Sequence, residues 1–164
     1  MSKKKGQIFA EPFFWILALI TAALVLTFGY MAVKRLNDTF DKTSIAKWST
    51  NFKKVVDEVY YMDTGSSKSI AIMLPKKVKG ICFYDGANIA NSNVLSPTDY
   101  RTIQLNPNKN MAILPAALYD SNLMLHSIGK LKAASPLCVN NGANLRLVSR
   151  GDYVSVELPI ANRP

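Results

Sequence analysis

The hydrophobic pattern divides the chain into three stretches. From Pro12 to Val33 no residue is charged, and the run is apolar throughout. A polar stretch follows in which an apolar residue recurs every third or fourth position, and from Lys68 onward the alternation shortens to every second residue. The three patterns predict a membrane-spanning helix, an amphipathic helix and a set of strands, an α+β chain.

As a helix with a rise of 1.5 Å per residue, the uncharged run is about 33 Å long, close to the roughly 30 Å of a bilayer's hydrocarbon core. Eleven of its 22 residues are Leu, Ile, Phe or Val. At about −0.3 to −0.6 kcal/mol each, they favour insertion by roughly 5 kcal/mol. A cleavable secretory signal is the competing reading, but its apolar core runs to about 7–15 residues and ends at a small-x-small site. Tyr30, Met31 and Ala32 make a poor site of that kind, so an anchor is expected, and the lipid bilayer is the first expected partner.

Beyond the anchor, Ile45, Trp48, Phe52, Val55, Val59 and Met62 are spaced to share one helix face. Ser44 is a candidate N-cap, with Gly65, Ser66 and Ser67 as the stop. No Pro or Gly lies between Met31 and Asp63. The membrane helix therefore runs into this one either continuously or with a bend near Asn37 to Thr43. The apolar stripe is expected to pack on the domain that follows, or on neighbouring subunits.

In that domain, "SKSIAIMLP" and "VKGICFYD" read as a hairpin closed by the "PKK" turn. The Asn- and Pro-rich middle predicts short strands at Arg101–Leu105 and Met111–Leu114, with an irregular loop from Asp85 to Asn93. "NLMLHSIGKLKA" reads as a strand rather than a short helix. "NLRLVSRGDYVSVELP" alternates on both sides of a tight turn, with Val154, Val156 and Leu158 on one face. Together these predict a small antiparallel sheet with the Trp48 helix covering one face. The expected divisions are residues 1–6 as a basic leader, 7–35 as the transmembrane helix, 36–64 as the amphipathic helix and 65–164 as a β-rich head.

The 164 residues carry a net charge of +9. Five of the 20 basic residues, Lys3, Lys4, Lys5, Lys34 and Arg35, flank the apolar run. From Leu36 onward 15 Lys and Arg face 10 Asp and Glu, with no aromatic-interleaved basic stripe. That distribution is a solvated surface and not a nucleic-acid interface. Lysines on both sides leave the positive-inside rule undecided. Cys82 and Cys138, the only cysteines, both fall in expected strands. An even count in an exported domain predicts one disulfide, worth about 4 kcal/mol by chain entropy, and places the head outside and the N-terminus in the cytoplasm. Two unrelated buried thiols in a cytosolic domain are the alternative.

Candidate chemistry changes little. "RGD" at Arg150–Asp152 matches an adhesion tripeptide, but glycine is what a hairpin turn requires there. "NDT" makes Asn37 a candidate N-glycosylation acceptor, although caps and turns favour the same residues. Asp85, Asn88, Asn91 and Asn93 lack the acidic series and closing Glu of a calcium loop. His126, the single histidine, fits no zinc spacing with Cys82 and Cys138. No nucleophile elbow or phosphate-cradling loop is present. Neither an enzyme, a metal nor a cofactor is expected.

"KKKGQIFAE" ahead of an apolar helix resembles the class III signal peptide of archaeal type IV pilin-like proteins. The resemblance implies a prepilin peptidase as partner, cutting between Gly6 and Gln7. It also implies that the Glu11 carboxylate pairs with the new amine of a neighbouring subunit, giving a homo-oligomer or filament. The chain departs from that family with Phe9, where Ser is common, and with Pro12 directly after the acid. In the bland reading Glu11 complements the helix dipole and Pro12 occupies the first turn. "YMDTGSSKSIAIMLPKKVKGICFYD" and "CVNNGANLRLVSRGDYVSVEL" resemble single-pass membrane proteins of small-genome archaea, which implies an anchor, a helix and a β-rich head without attaching an activity. The expected function is a membrane-anchored, pilin-like surface protein. The alternative is an uncleaved single-pass protein whose head binds a ligand.

Overall fold

The computed structural model describes residues 10–86, 89, 94–133 and 135–159. The chain falls into two units, Met1–Phe40 and Asp41–Pro164. One helix, α1 (Ala10–Tyr60), contributes to both. Ser44 lies inside α1 rather than capping a second helix, because nothing between Met31 and Asp63 interrupts the backbone ladder.

In the second unit α1 is held by packing. Ile45, Trp48, Phe52, Val55, Val56 and Val59 are buried. A fully buried aliphatic or aromatic side chain contributes about 1.5–3 kcal/mol, more than the full spread of helix propensity among ordinary residues, about 0.7 kcal/mol. The expected stripe is thus present up to Val59. Met62 lies past the helix end and is 41% exposed. Gly65, at φ +92°, takes the left-handed conformation that redirects the chain.

The head contains two four-stranded sheets. The first has the order β1 (Ser67–Ala71), β7 (Asn144–Ser149), β8 (Val154–Glu157), β5 (Leu131–Lys132). Its pairs are antiparallel except β5 with β8, which is parallel. The second has the order β4 (Leu125–His126), β3 (Met111–Leu114), β2 (Gly80–Phe83), β6 (Leu137–Asn140), all antiparallel.

The period-two pattern of the second sheet sorts its residues between two cores. Ile81, Phe83, Met111, Ile113 and Val139 join the α1 residues and Leu145, Leu147, Val154 and Val156 of the first sheet in the main core. Cys82, Tyr84, Ala112, Leu114 and Leu125 form a smaller core with Ile103 of helix α2 (Pro97–Gln104). Phe52 ties α1 to the second sheet, its ring centroid 5.6 Å from that of Phe83. Trp48 stacks on Phe52 at 5.1 Å and donates its indole N–H to the carbonyl of Ala71 at the edge of the first sheet.

Four local expectations need correction. The first is the hairpin. "SKSIAIMLP" and "VKGICFYD" belong to different sheets, β1 pairing with β7, and β2 lying between β3 and β6. Pro75 cannot donate to a ladder, and the side chain of Asn141 takes up Leu74 N–H and the carbonyls of Leu74, Pro75 and Val78 as the chain crosses between sheets. Gly80 is required on arrival, since a Cβ there would stand 2.1 Å from the carbonyl oxygen of Val139.

The second is Arg101–Leu105, which is helical and belongs largely to α2. Ser96 and Asp99 form a reciprocal capping box with Pro97 in the first turn. The third is "NLMLHSIGKLKA", which forms the helical turn α3 (Ser121–Met124), then the two-residue strands β4 and β5 joined by a turn. The fourth is the number of sheets, two rather than one, because β2 and β3 are buried on both faces. Met111–Leu114 and the β7–β8 hairpin are as expected. Most of the Asp85–Asn93 loop, including Asn88, Asn91 and Asn93, lies outside the described residues.

Candidate functional site

Among the described residues the first unit consists of α1, and every residue from Pro12 to Asn37 is exposed. Phe14, Trp15, Leu26 and Tyr30 are each more than 70% exposed. This is not the core helix of a globular domain, which buries at least one stripe. Water would oppose so large an apolar surface, whereas hydrocarbon accepts it if backbone and hydroxyl groups are satisfied internally. The Thr21 hydroxyl donates to the carbonyls of Leu17 and Ala18, and that of Thr27 to Ala23, at 2.8–2.9 Å. Trp15 and Tyr30 stand near either end of the uncharged run, where amphipathic rings meet the two membrane interfaces. By length and composition, α1 can cross a membrane.

Gly6 and Gln7 lie outside the described residues, as does the Glu11 side chain, although Glu11 belongs to the first turn of α1. Asn37 is exposed within α1, not at a turn, and Thr39 of its sequon donates to the carbonyl of Arg35. Cys82 and Cys138 occupy directly opposed positions on β2 and β6 and are joined in a disulfide.

In the head the titratable side chains serve mainly as ties between elements. Lys68 binds Glu58 at 2.6 Å, and this hydrogen bond holds the Glu58 carboxyl below the usual carboxylate range. Lys130 lies over the rings of Tyr60 and Tyr61, 4.5 and 4.3 Å from their centroids. It also donates to the Tyr61 hydroxyl and pairs with Asp57, and the Tyr61 bond first among these raises its pKa. Arg150 of the "RGD" triplet pairs with Glu157 across the hairpin, and Gly151 has φ +88°. The triplet is turn chemistry with its cation engaged.

Three polar groups are buried more deeply. Asp99 accepts from the Ser96 N–H and hydroxyl, and from Ala116 N–H. His126 is buried, with Nε2 2.9 Å from the carbonyl of Leu123. Burial, then the positive field of Lys53 and Lys109, depresses its pKa against the opposing pull of that carbonyl. The Tyr84 hydroxyl has no hydrogen-bond partner among the described residues, and burial pushes its pKa up to about 12. It stays protonated at any physiological pH and is not a general base.

Among the described residues no three His, Cys, Asp or Glu side chains converge to hold a metal ion. Sequence reasoning missed Asn110 and Asn141 as well as Asp99. The Asn110 side chain bonds both N–H and carbonyl of Ile128 and the carbonyl of Leu131. The S-P-x-D spacing could have disclosed Asp99. The two asparagines act over long sequence separations and leave no local signal. Comparison with family models, with curated proteins and with solved structures finds no match to this chain.

Proposed function

We propose that this is a single-pass, membrane-anchored surface protein of pilin-like type, whose role is structural assembly through α1. The observation that carries the reading is the uncharged, wholly exposed Pro12–Val33 segment with both threonine hydroxyls satisfied within the helix. A prepilin peptidase would cut after Gly6, and Glu11 would pair with the new amine of Gln7 on a neighbouring subunit. A carboxylate inside a bundle of apolar helices is costly without a partner, so the pair would set the axial register. The Cys82–Cys138 bridge supports an oxidising compartment for the head, and hence a cytoplasmic N-terminus.

Intact-mass measurement on protein extracted from membranes tests this directly. A chain beginning at Gln7 is expected, and a Glu11→Ala variant should stay in the membrane yet fail to assemble. Phe9 and Pro12 favour a second reading, an uncleaved anchor that holds the head at the membrane as a binding module. A chain beginning at Met1, with Glu11→Ala indistinguishable from wild type, would establish that reading instead.

A further inference from the structure

We infer that the end of the head bearing Asp41 docks on anionic lipid headgroups of the bilayer that holds α1, through Lys42, Lys76 and Lys77. The inference rests on the membrane-anchor reading. Two side chains meet at Asp41 in the second unit, and a third lies over the ring of one of them. Lys77 Nζ lies 3.0 Å from its carboxylate, the Tyr119 hydroxyl donates to it at 3.2 Å, and Lys42 stands 5.4 Å from the centre of the Tyr119 ring. Lys76 is exposed beside Lys77, and Lys79 follows. This end of the head therefore carries Lys42 and Lys77 around Asp41, with Lys76 next to Lys77 in the loop. No Asp or Glu occurs between Asp63 and Asp85 to offset the loop lysines.

The loop is built to hold its charges in place. Val78 N–H closes a tight turn on the carbonyl of Pro75, and the Asn141 side chain clamps Leu74, Pro75 and Val78. Pre-organisation of this kind lowers the ordering cost of binding. Tether length names the surface within reach. Eight residues, all within α1, lead from the last residue of the uncharged run, Val33, to Asp41, a rise of about 12 Å as helix. Asp41 and Lys42 therefore begin about 12 Å of helix beyond the uncharged run. An anionic surface attracts lysines that come within a Debye length, about 10 Å at 0.1 M salt. Tyr119 adds an amphipathic ring of the kind that sits at headgroup level.

The test uses the full chain reconstituted into vesicles of phosphatidylcholine alone, or of phosphatidylcholine and phosphatidylglycerol in equal parts. Flotation reports insertion, and a membrane-impermeant amine-acylating reagent read by mass spectrometry reports the exposure of each lysine. Lys68 and Lys130 serve as internal references, since they pair with Glu58 and Asp57 near the other end of this segment of α1. On anionic vesicles, labelling of Lys42, Lys76 and Lys77 relative to the references should fall about threefold or more, and should recover at about 0.5 M NaCl. In Lys42→Glu with Lys76→Glu, which leaves the Lys77–Asp41 pair in place, labelling of Lys77 should no longer depend on phosphatidylglycerol. Equal labelling on both vesicle types, with normal flotation, overturns the docking and leaves the anchor standing. Failure to float with either overturns both.

Discussion

Asp99 accepts a 2.6 Å hydrogen bond from the backbone N–H of Ala116, and both residues are buried. The same carboxylate takes the Ser96 hydroxyl and N–H in the capping box of α2, so one side chain fixes a helix start and the chain leaving β3. Asp99→Ala removes the reciprocal half of the capping box, leaving the Ser96 cap on the Asp99 N–H, and strands the buried Ala116 N–H, which should cost about 1–3 kcal/mol in denaturant unfolding. Asp99→Asn keeps an acceptor and should cost less. Equal stability of Asp99→Ala and wild type would remove this carboxylate from the account of the head.

Cys82 faces Cys138 across adjacent strands of the second sheet, with Cys82 in the smaller core. Replacing both by Ala should destabilise the head by about 2–5 kcal/mol through the freed unfolded chain. Wild-type protein taken from its native membrane should migrate faster on a non-reducing gel than after reduction. Both cysteines should resist alkylation until it is unfolded and reduced. Free thiols in freshly isolated protein would contradict the bridge and the exported location together.

His126 should make the head sensitive to mild acid. Its pKa in the folded chain lies below the ordinary 6.5, from burial first and then from Lys53 of α1 and Lys109 ahead of β3. The unfolded chain therefore binds the proton more readily as pH drops below about 6.5. The stability supplied by the neutral ring is complete above that pH and is lost as pH falls toward the lower folded value. The melting temperature should decline over that window, and the decline should be shallower in His126→Gln. Because Glu58 also loses stabilisation in acid, the difference between the two proteins isolates the histidine.

Legibility varied with the distance over which each contact acts. The buried face of α1 from Ile45 to Val59 and the alternation of β7 and β8 are carried by neighbours within one turn or one hairpin, and both were readable. "PKK" suggests a β1–β2 hairpin because it does form a tight turn, while the partner that decides where the chain goes, Asn141, lies more than sixty residues away. The strand expected at Arg101–Leu105 overlooked a local signal, since Ser96, Pro97 and Asp99 spell a helix start. Burial of β2 on both faces could not be foreseen, because a short apolar run reads alike for an edge strand, a central strand or a buried helix turn. At the candidate site, the exposed apolar helix followed from composition. The meeting of Lys77 and Tyr119 at Asp41, with Lys42 over the Tyr119 ring, required the fold.

The membrane reading makes its own energetic demand. Apolar side chains of Pro12–Val33 favour insertion by roughly 5 kcal/mol, and an Asp near the middle of such a helix opposes it by about 2.5–3.5 kcal/mol. One substitution should weaken insertion. The double variant Leu19→Asp with Val25→Asp opposes insertion by about 5–7 kcal/mol and should abolish the driving force. After carbonate extraction, wild-type protein is expected in the membrane pellet and the double variant largely in the supernatant. Both positions lie in the first unit and the disulfide in the second, so the variant's head should keep the wild-type disulfide and melting temperature. A double variant that still resists carbonate would mean that something other than this apolar segment holds the chain at the membrane.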